Sequence, residues 1–149
     1  MSYNRIWIHA NFSTKDRRRL ITSSAEEKIH NYLSDQLKQC GCIPKIINGT
    51  ADHVHLLFLA NPKIAMTDVF KQIKGSSSHW INANKLSSVR FCWQDGFAAF
   101  TISESQVDKV YQYIANQKEH HARKSFTEEL SELVAAYGLT LETPRKGNG

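Results

Sequence analysis

The stretch Asp52-His-Val-His-Leu-Leu-Phe-Leu59 constrains the fold of this chain more than any other, because as a strand it has no face suited to water. Alternation sends His53, His55, Leu57 and Leu59 to one side and Val54, Leu56 and Phe58 to the other. Both sides are rich in apolar residues, so both must be covered by other elements. One cover is an ordinary core. The other must also accommodate two imidazoles that point the same way. A His-x-His pair occurs in strands where the rings merely hydrogen-bond, but it is also the spacing that lets two ligands converge on one ion.

The neighbouring segments predict what supplies the covers. Residues 5–12 alternate as a strand, with Ile6, Ile8 and Ala10 on one side and Trp7, His9 and Asn11 on the other, and His9 reads as structural. A helix is expected over 24–39, with Ser24-x-x-Glu27 as a capping box, Ile29, Leu33, Leu37 and Cys40 as the buried stripe and Gly41 as the stop. Residues 43–48 and 53–60 form two strands around Asn48-Gly49, a hairpin signal. Thr67 can cap the next helix, in which Phe70, Ile73, Ser77, Trp80 and Ile81 repeat at helical spacing. Strand segments at 89–93 and 97–102 are broken by Asp95-Gly96, and Ser103-x-x-Gln106 can cap the helix that follows.

That helix, running to about His121, carries its apolar residues at Val107, Val110 and Ile114 and places Tyr113 and Gln117 one turn apart on one flank. It is the obvious cover for the histidine face, which puts a phenol and an amide over His53 and His55. Which chain provides this helix, the same or a partner, stays open on burial grounds alone. Ser125-x-x-Glu128 starts a last helix through Leu130, Leu133 and Val134 to Gly138, and the tail from Thr143 is polar. The element order βαββαβ(β)α matches an α+β, ferredoxin-like split βαβ sandwich: an antiparallel-dominated sheet, two helices on one face and the tyrosine helix on the other. At 149 residues and 41% hydrophobic content, one domain over residues 1–142 and a polar tail over 143–149 are expected.

Charge bears on partners. Nineteen Lys and Arg against fourteen Asp and Glu give +5, which suits a polyanion. Lys15, Arg17, Arg18 and Arg19 form a compact basic turn, and Lys71 and Lys74 lie on the helix leading into Gly75-Ser-Ser-Ser78. With Arg90 they are the candidate DNA-binding residues. Three cysteines, Cys40, Cys42 and Cys92, make neither a disulfide framework nor a zinc site, and they read as buried or inert thiols. No apolar run is long enough for a membrane span, so a cytoplasmic location without membrane contact is expected.

The His-x-His strand, the Tyr113-Ile-Ala-Asn-Gln117 helix, the basic Ser13-Thr-Lys-Asp-Arg-Arg-Arg19 turn and Trp93-Gln-Asp-Gly-Phe-Ala-Ala-Phe100 together resemble the single-tyrosine HUH transposases of small bacterial insertion sequences. The REP-associated tyrosine transposases are similar too. The resemblance runs from about Arg5 to about Tyr137. It implies that His53, His55 and Gln117 hold a divalent metal, Mg²⁺ or Mn²⁺, and that Tyr113 attacks a DNA phosphodiester to give a 5′-phosphotyrosine. Tyr111 is the competing phenol, but only Tyr113 has a glutamine one turn later. The resemblance further implies single-stranded DNA with a hairpin as substrate and a homodimer with exchanged tyrosine helices. Two imidazoles and an amide oxygen suit an ion that must also bind water and phosphate. The general base for Tyr113 is left unassigned; His120 and His121 read as helix-end residues that favour the C-terminal dipole. Two other readings stand beside the transposase: a non-catalytic ferredoxin-like nucleic-acid-binding module, and a metal-dependent nuclease that activates water.

Overall fold

The computed structural model describes residues 2–138; the end of the expected domain and the polar tail lie outside them. Four strands, β1 (Trp7–Ser13), β2 (Ile43–Gly49), β3 (His53–Leu59) and β4 (Ala98–Ile102), form one sheet in the order β2-β3-β1-β4. All three pairings are antiparallel. Helices α1 (Glu26–Gln39) and α2 (Met66–Ala83) follow β1 and β3, which is the ferredoxin-like arrangement the element order predicts. The central strands β3 and β1 each pair on both sides, β1 with β4 over Trp7–Asn11, so most of their backbone groups are satisfied within the sheet.

Period-two alternation builds both covers. Ile8, Ala10 and Phe12 of β1 and Val54, Leu56 and Phe58 of β3 face Ile29, Leu33 and Leu37 of α1 and Val69, Phe70, Ile73 and Ile81 of α2. Truncating a fully buried ring here, Phe58 for instance, removes about 3–5 kcal/mol. On the other face Trp7 and Leu57 meet Val107 and Ile114 of α3 (Val107–Ala115), the tyrosine helix. A short α4 (Gln117–His121) and α5 (Phe126–Ala136) complete that layer.

Several local expectations are corrected. The hairpin turn is not at Asn48-Gly49, which lie inside the ladder opposite His55 and Val54; the chain reverses over 50–52. Glycine is needed at 49 for close approach, since a Cβ there would sit 2.1 Å from the His53 carbonyl oxygen. Side-chain caps fail at three helix starts: α1 begins at Glu26 with its first amides on the Thr22 carbonyl, α2 begins at Met66 ahead of Thr67, and a 3₁₀ turn over Glu104–Gln106 precedes α3. Only Ser125 caps as its spacing suggests, accepting from the Glu128 amide. Residues 89–93 make no strand beyond a single bridge from Trp93 to Thr14. Cys92 is exposed rather than buried, and all three thiols are free.

The tyrosine helix is also not one piece. Asn116, at φ −97° and ψ 19°, separates α3 from α4. The Asn48 side chain explains the break, because its Nδ2 donates to the carbonyls of Ile114 (3.0 Å) and Ala115 (3.2 Å), which in a continuous helix would accept from amides four residues on. The same two bonds pin the end of α3 to β2 and so fix Tyr113 over the sheet.

Candidate metal and nucleophile site

His53, His55 and Gln117 come together, each fully buried. The Gln117 Oε1 lies 3.1 Å from His53 Nε2. A fourth residue joins them from α5: Glu129 Oε1 is 2.6 Å from His55 Nε2 and 3.6 Å from His53 Nε2. His53, His55 and Glu129 offer one ligand atom each within 4.8 Å of one another, close enough to share one divalent ion. The family resemblance alone did not point to Glu129. Its signal was an acid inside the apolar stripe of the last helix, between Phe126 and Leu130, where an unpaired carboxylate would be costly.

The donor set fits a divalent cation because each imidazole is already oriented from behind. His53 Nδ1 lies 2.7 Å from Asp52 Oδ1 and 3.0 Å from Thr50 Oγ1, so the ring donates there and leaves Nε2 for an ion. His55 Nδ1 lies 3.0 Å from His9 Nε2, whose other nitrogen lies 3.3 Å from the Tyr137 hydroxyl. Burial, with the repulsion of His55, pushes His9 down to about 3, so it stays neutral and can accept from His55. Burial likewise lowers His55, against the opposing pull of Glu129. His9 is therefore structural as expected, in the specific sense that it selects the tautomer of His55.

Glu129 is a hub. Its Oε2 accepts from Gln117 Nε2 at 3.2 Å and lies 2.9 Å from His121 Nε2. Burial opposes its charge, but hydrogen bonds with His55 and Tyr113 outweigh that and hold the carboxyl well below the usual range. Tyr113 is the phenol at the site, with its ring 5.7 Å from that of His55 and 4.8 Å from that of His120. Burial first, and then the Glu129 carboxylate that accepts its hydrogen bond, push the phenol above its ordinary value. Tyr111 points elsewhere, against Lys45. His121, expected to serve only the helix end, is instead drawn into the cluster, with its ring 4.3 Å from that of His53. Phe126 closes the site by stacking on His53 at 4.5 Å.

The basic candidates divide into groups. Lys15, Arg18 and Arg90 line one small cavity of about 220 Å³. Arg17 and Arg19 line a groove of about 730 Å³ with Lys118, Lys124, Asp52 and His121, which brings it to the back of the histidine site. Lys118 and Lys124 were not among the residues singled out from sequence, and each is also paired with a glutamate. Lys71 is exposed on α2. Lys74 donates to the carbonyls of Gln94 (2.7 Å) and Gly96 (2.6 Å), so its ammonium is already engaged in holding a loop.

Comparison with known proteins now decides the family. The profile described as "Transposase IS200 like" matches residues 2–117. The chain belongs to the IS200-like transposases. It is a single-tyrosine HUH transposase, a DNA strand-transferring enzyme. The ISDra2 transposase TnpA of Deinococcus radiodurans is 25% identical to it over 122 residues, 78% of this chain and 84% of that protein. A crystal structure described as a transposase from Deinococcus radiodurans shares the fold with a TM-score of 0.62 at 24% identity, over 78% of this chain and 93% of that one. The structure of a REP-associated tyrosine transposase bound to a REP hairpin also shares it, with a TM-score of 0.62 at 13% identity over 94% of this chain and 86% of that one.

Proposed function

We propose that this transposase cleaves and rejoins single-stranded DNA beside a hairpin, with Tyr113 as nucleophile and His53, His55, Gln117 and Glu129 around a Mg²⁺ or Mn²⁺ ion. The observation that carries the reading is the convergence of two back-supported imidazoles and a carboxylate within 4.8 Å, with one phenol hydrogen-bonded to that carboxylate. The set contains no thiolate, and nitrogen and oxygen donors suit an ion that keeps positions for water and phosphate. When bound, the ion polarises the scissile phosphodiester and stabilises the charge that develops on it.

The protein's own groups do the rest. His9 and Asp52 fix the imidazole tautomers, Gln117 bridges His53 to Glu129, and Asn48 holds the end of α3 so that the phenol stays over the site. The Tyr113 phenol, protonated at neutral pH and held more firmly so by burial and the Glu129 carboxylate, must lose its proton as it attacks. Its oxygen then bonds to phosphorus, its proton leaves, and the P–O3′ bond breaks to give a 5′-phosphotyrosine and a free 3′-hydroxyl. Attack of a 3′-hydroxyl on that linkage rejoins DNA without any outside energy source. Lys15, Arg17, Arg18, Arg19, Lys71 and Arg90 hold phosphates of the hairpin and flank, and Lys74 contributes by fixing the loop it grips.

The proposal includes a homodimer in which tyrosine helices are exchanged. Within one chain the apolar patch of Trp7 and Leu57 is covered by Val107 and Ile114 of α3; in the exchanged dimer the partner's α3 would present that same face. It also includes a cytoplasmic location; no helix among the described residues is long and apolar enough to cross a membrane. The test is incubation of the full chain with stem-loop oligonucleotides and Mn²⁺. A denaturant-resistant protein–DNA adduct that Tyr113→Phe abolishes is expected. Turnover that survives Tyr113→Phe and leaves no adduct would make the enzyme a water-activating nuclease instead, and binding without any cleavage would make it a binding module.

A further inference from the structure

A cavity of about 670 Å³ opens next to the histidine site, at the end of the sheet where β4 parts from β1. Ala98 pairs with Asn11, and the Gln94 amide bonds the Ser13 carbonyl, but between these two anchors the chain bows outward over 95–97. Gly96 turns the bow at φ +86°, and the Lys74 ammonium grips it from inside through two carbonyls. The gap is therefore built and held open.

Its lining has the chemistry of a base site. Asn11 lines it, is 1% exposed, and carries an amide Nδ2 with no hydrogen-bond partner, a group that a folded protein rarely leaves unsatisfied. Phe97, 38% exposed, also lines the cavity and stacks on Phe70 at 4.1 Å. Asp16 and Arg17, both non-glycine residues in the left-handed region at φ 55° and 53°, form one wall, with the Asp16 amide fixed by the Gln94 side chain. Two successive residues held in that region are a cost that clusters at ligand sites. Asn11 is the cross-strand partner of His55, so the cavity lies about 5 Å, one strand spacing, from the metal-binding pair.

We propose that this cavity receives one unpaired nucleobase of the DNA strand, flanking the phosphate presented to Tyr113. The base stacks on Phe97, accepts a hydrogen bond from Asn11 Nδ2 on an oxo or ring-nitrogen edge, and has its phosphate near Arg17. Stacking on an aromatic is tolerant of sequence, whereas a single buried amide donor discriminates between bases, so the cavity is a specificity site as well as a holding site. The assignment rests on the strand-transfer reading above for its DNA partner, but not on Tyr113 chemistry.

The test uses the full chain with Mn²⁺ and stem-loop oligonucleotides whose single-stranded flank is randomised over eight positions, with the bound fraction sequenced. One flank position is expected to show a base preference of about five- to tenfold, and Asn11→Leu is expected to flatten that position alone. Phe97→Ala should weaken binding of every oligonucleotide except those abasic at that position. Replacing an unsatisfied buried amide by an apolar side chain should also raise the denaturation midpoint, which marks Asn11 as kept for a ligand rather than for the fold. A flank profile with no preference, or one that Asn11→Leu leaves unchanged, overturns the proposal. Adduct formation is scored separately on the same oligonucleotides. Loss of the adduct with the preference intact sinks strand transfer and leaves the cavity, and an adduct without an Asn11-dependent position does the reverse.

Discussion

Replacing Glu129 by glutamine separates a ligand from a plug. In the metal-free protein the carboxylate takes His55 on one oxygen at 2.6 Å, and His121 and Gln117 on the other at 2.9 and 3.2 Å. An amide of the same shape is uncharged and presents one oxygen and one NH₂ in place of two acceptor oxygens, so the charge-assisted contacts of the carboxylate are lost. Charge-assisted bonds of this kind contribute about 1.5–3 kcal/mol each, and breaking such a buried set should cost about 3 kcal/mol, read by urea denaturation in the presence of a chelator. The metal then discriminates between roles. If Glu129 is a ligand, Glu129→Gln weakens Mn²⁺ binding by about tenfold or more, about 1.4 kcal/mol. At a Mn²⁺ concentration of about a hundred times the native Kd, the ion stabilises the native chain by about 2.7 kcal/mol and a tenfold weaker variant by only about 1.4 kcal/mol. Calorimetric titration with Mn²⁺ gives the affinity directly. A variant that binds Mn²⁺ as tightly as the native chain, or more tightly, would mean that the carboxylate merely occupies the ion's place, and the four-residue site would be wrong.

Three further outcomes follow from particular contacts. Gly49→Ala drives a Cβ into the His53 carbonyl and the Val54 Cα, both backbone, and should cost about 3 kcal/mol in urea denaturation; a cost under about 1 kcal/mol would show the hairpin to be looser than described. Burial, opposed by Glu26 and reinforced by Lys118, pushes His30 from 6.5 down to about 4. The unfolded chain therefore binds that proton more readily, and stability falls as pH drops from about 6.5 to 4, by at most about 3 kcal/mol. His30→Gln should lessen that slope in pH-dependent denaturation, with His9 contributing the remainder, and an unchanged slope would refute the His30 contribution. Arg18→Ala should lessen the log–log salt dependence of binding to single-stranded DNA by about 0.7, as expected for one phosphate contact, whereas an unaltered slope would take the Lys15, Arg18 and Arg90 cavity out of the interface.

The residues that could be read from the chain are those whose periodicity carries the information. Alternation through His53–Leu59 set both faces of β3, and the stripe of Val107, Val110 and Ile114 was enough to lay the tyrosine helix over one of them. What could not be read depended on partners distant in sequence. Nothing near Asn116 signals a helix break, because the cause is the Asn48 side chain some seventy residues earlier taking two helix carbonyls. Side-chain caps at Ser24, Thr67 and Ser103 gave way to backbone carbonyls and a 3₁₀ turn, since the chain's path into each helix is set by packing rather than by the capping residue. Glu129 and His121 are the informative omissions from the site. Each sits on a segment that looks self-sufficient as a helix, and only the docking of α5 against β3 gives the carboxylate its three imidazole neighbours.

The central claim is that paired imidazoles and a carboxylate grip one divalent ion beside the Tyr113 phenol. Anomalous diffraction from a Mn²⁺-soaked crystal tests it most directly. A single peak about 2.1 Å from Nε2 of both His53 and His55, bounded by Gln117 and Glu129 and with the Tyr113 hydroxyl on its open side, is the expected result. Saturating Mn²⁺ that leaves no peak between the two imidazoles, or a peak that Tyr113 of neither chain can approach, would contradict it.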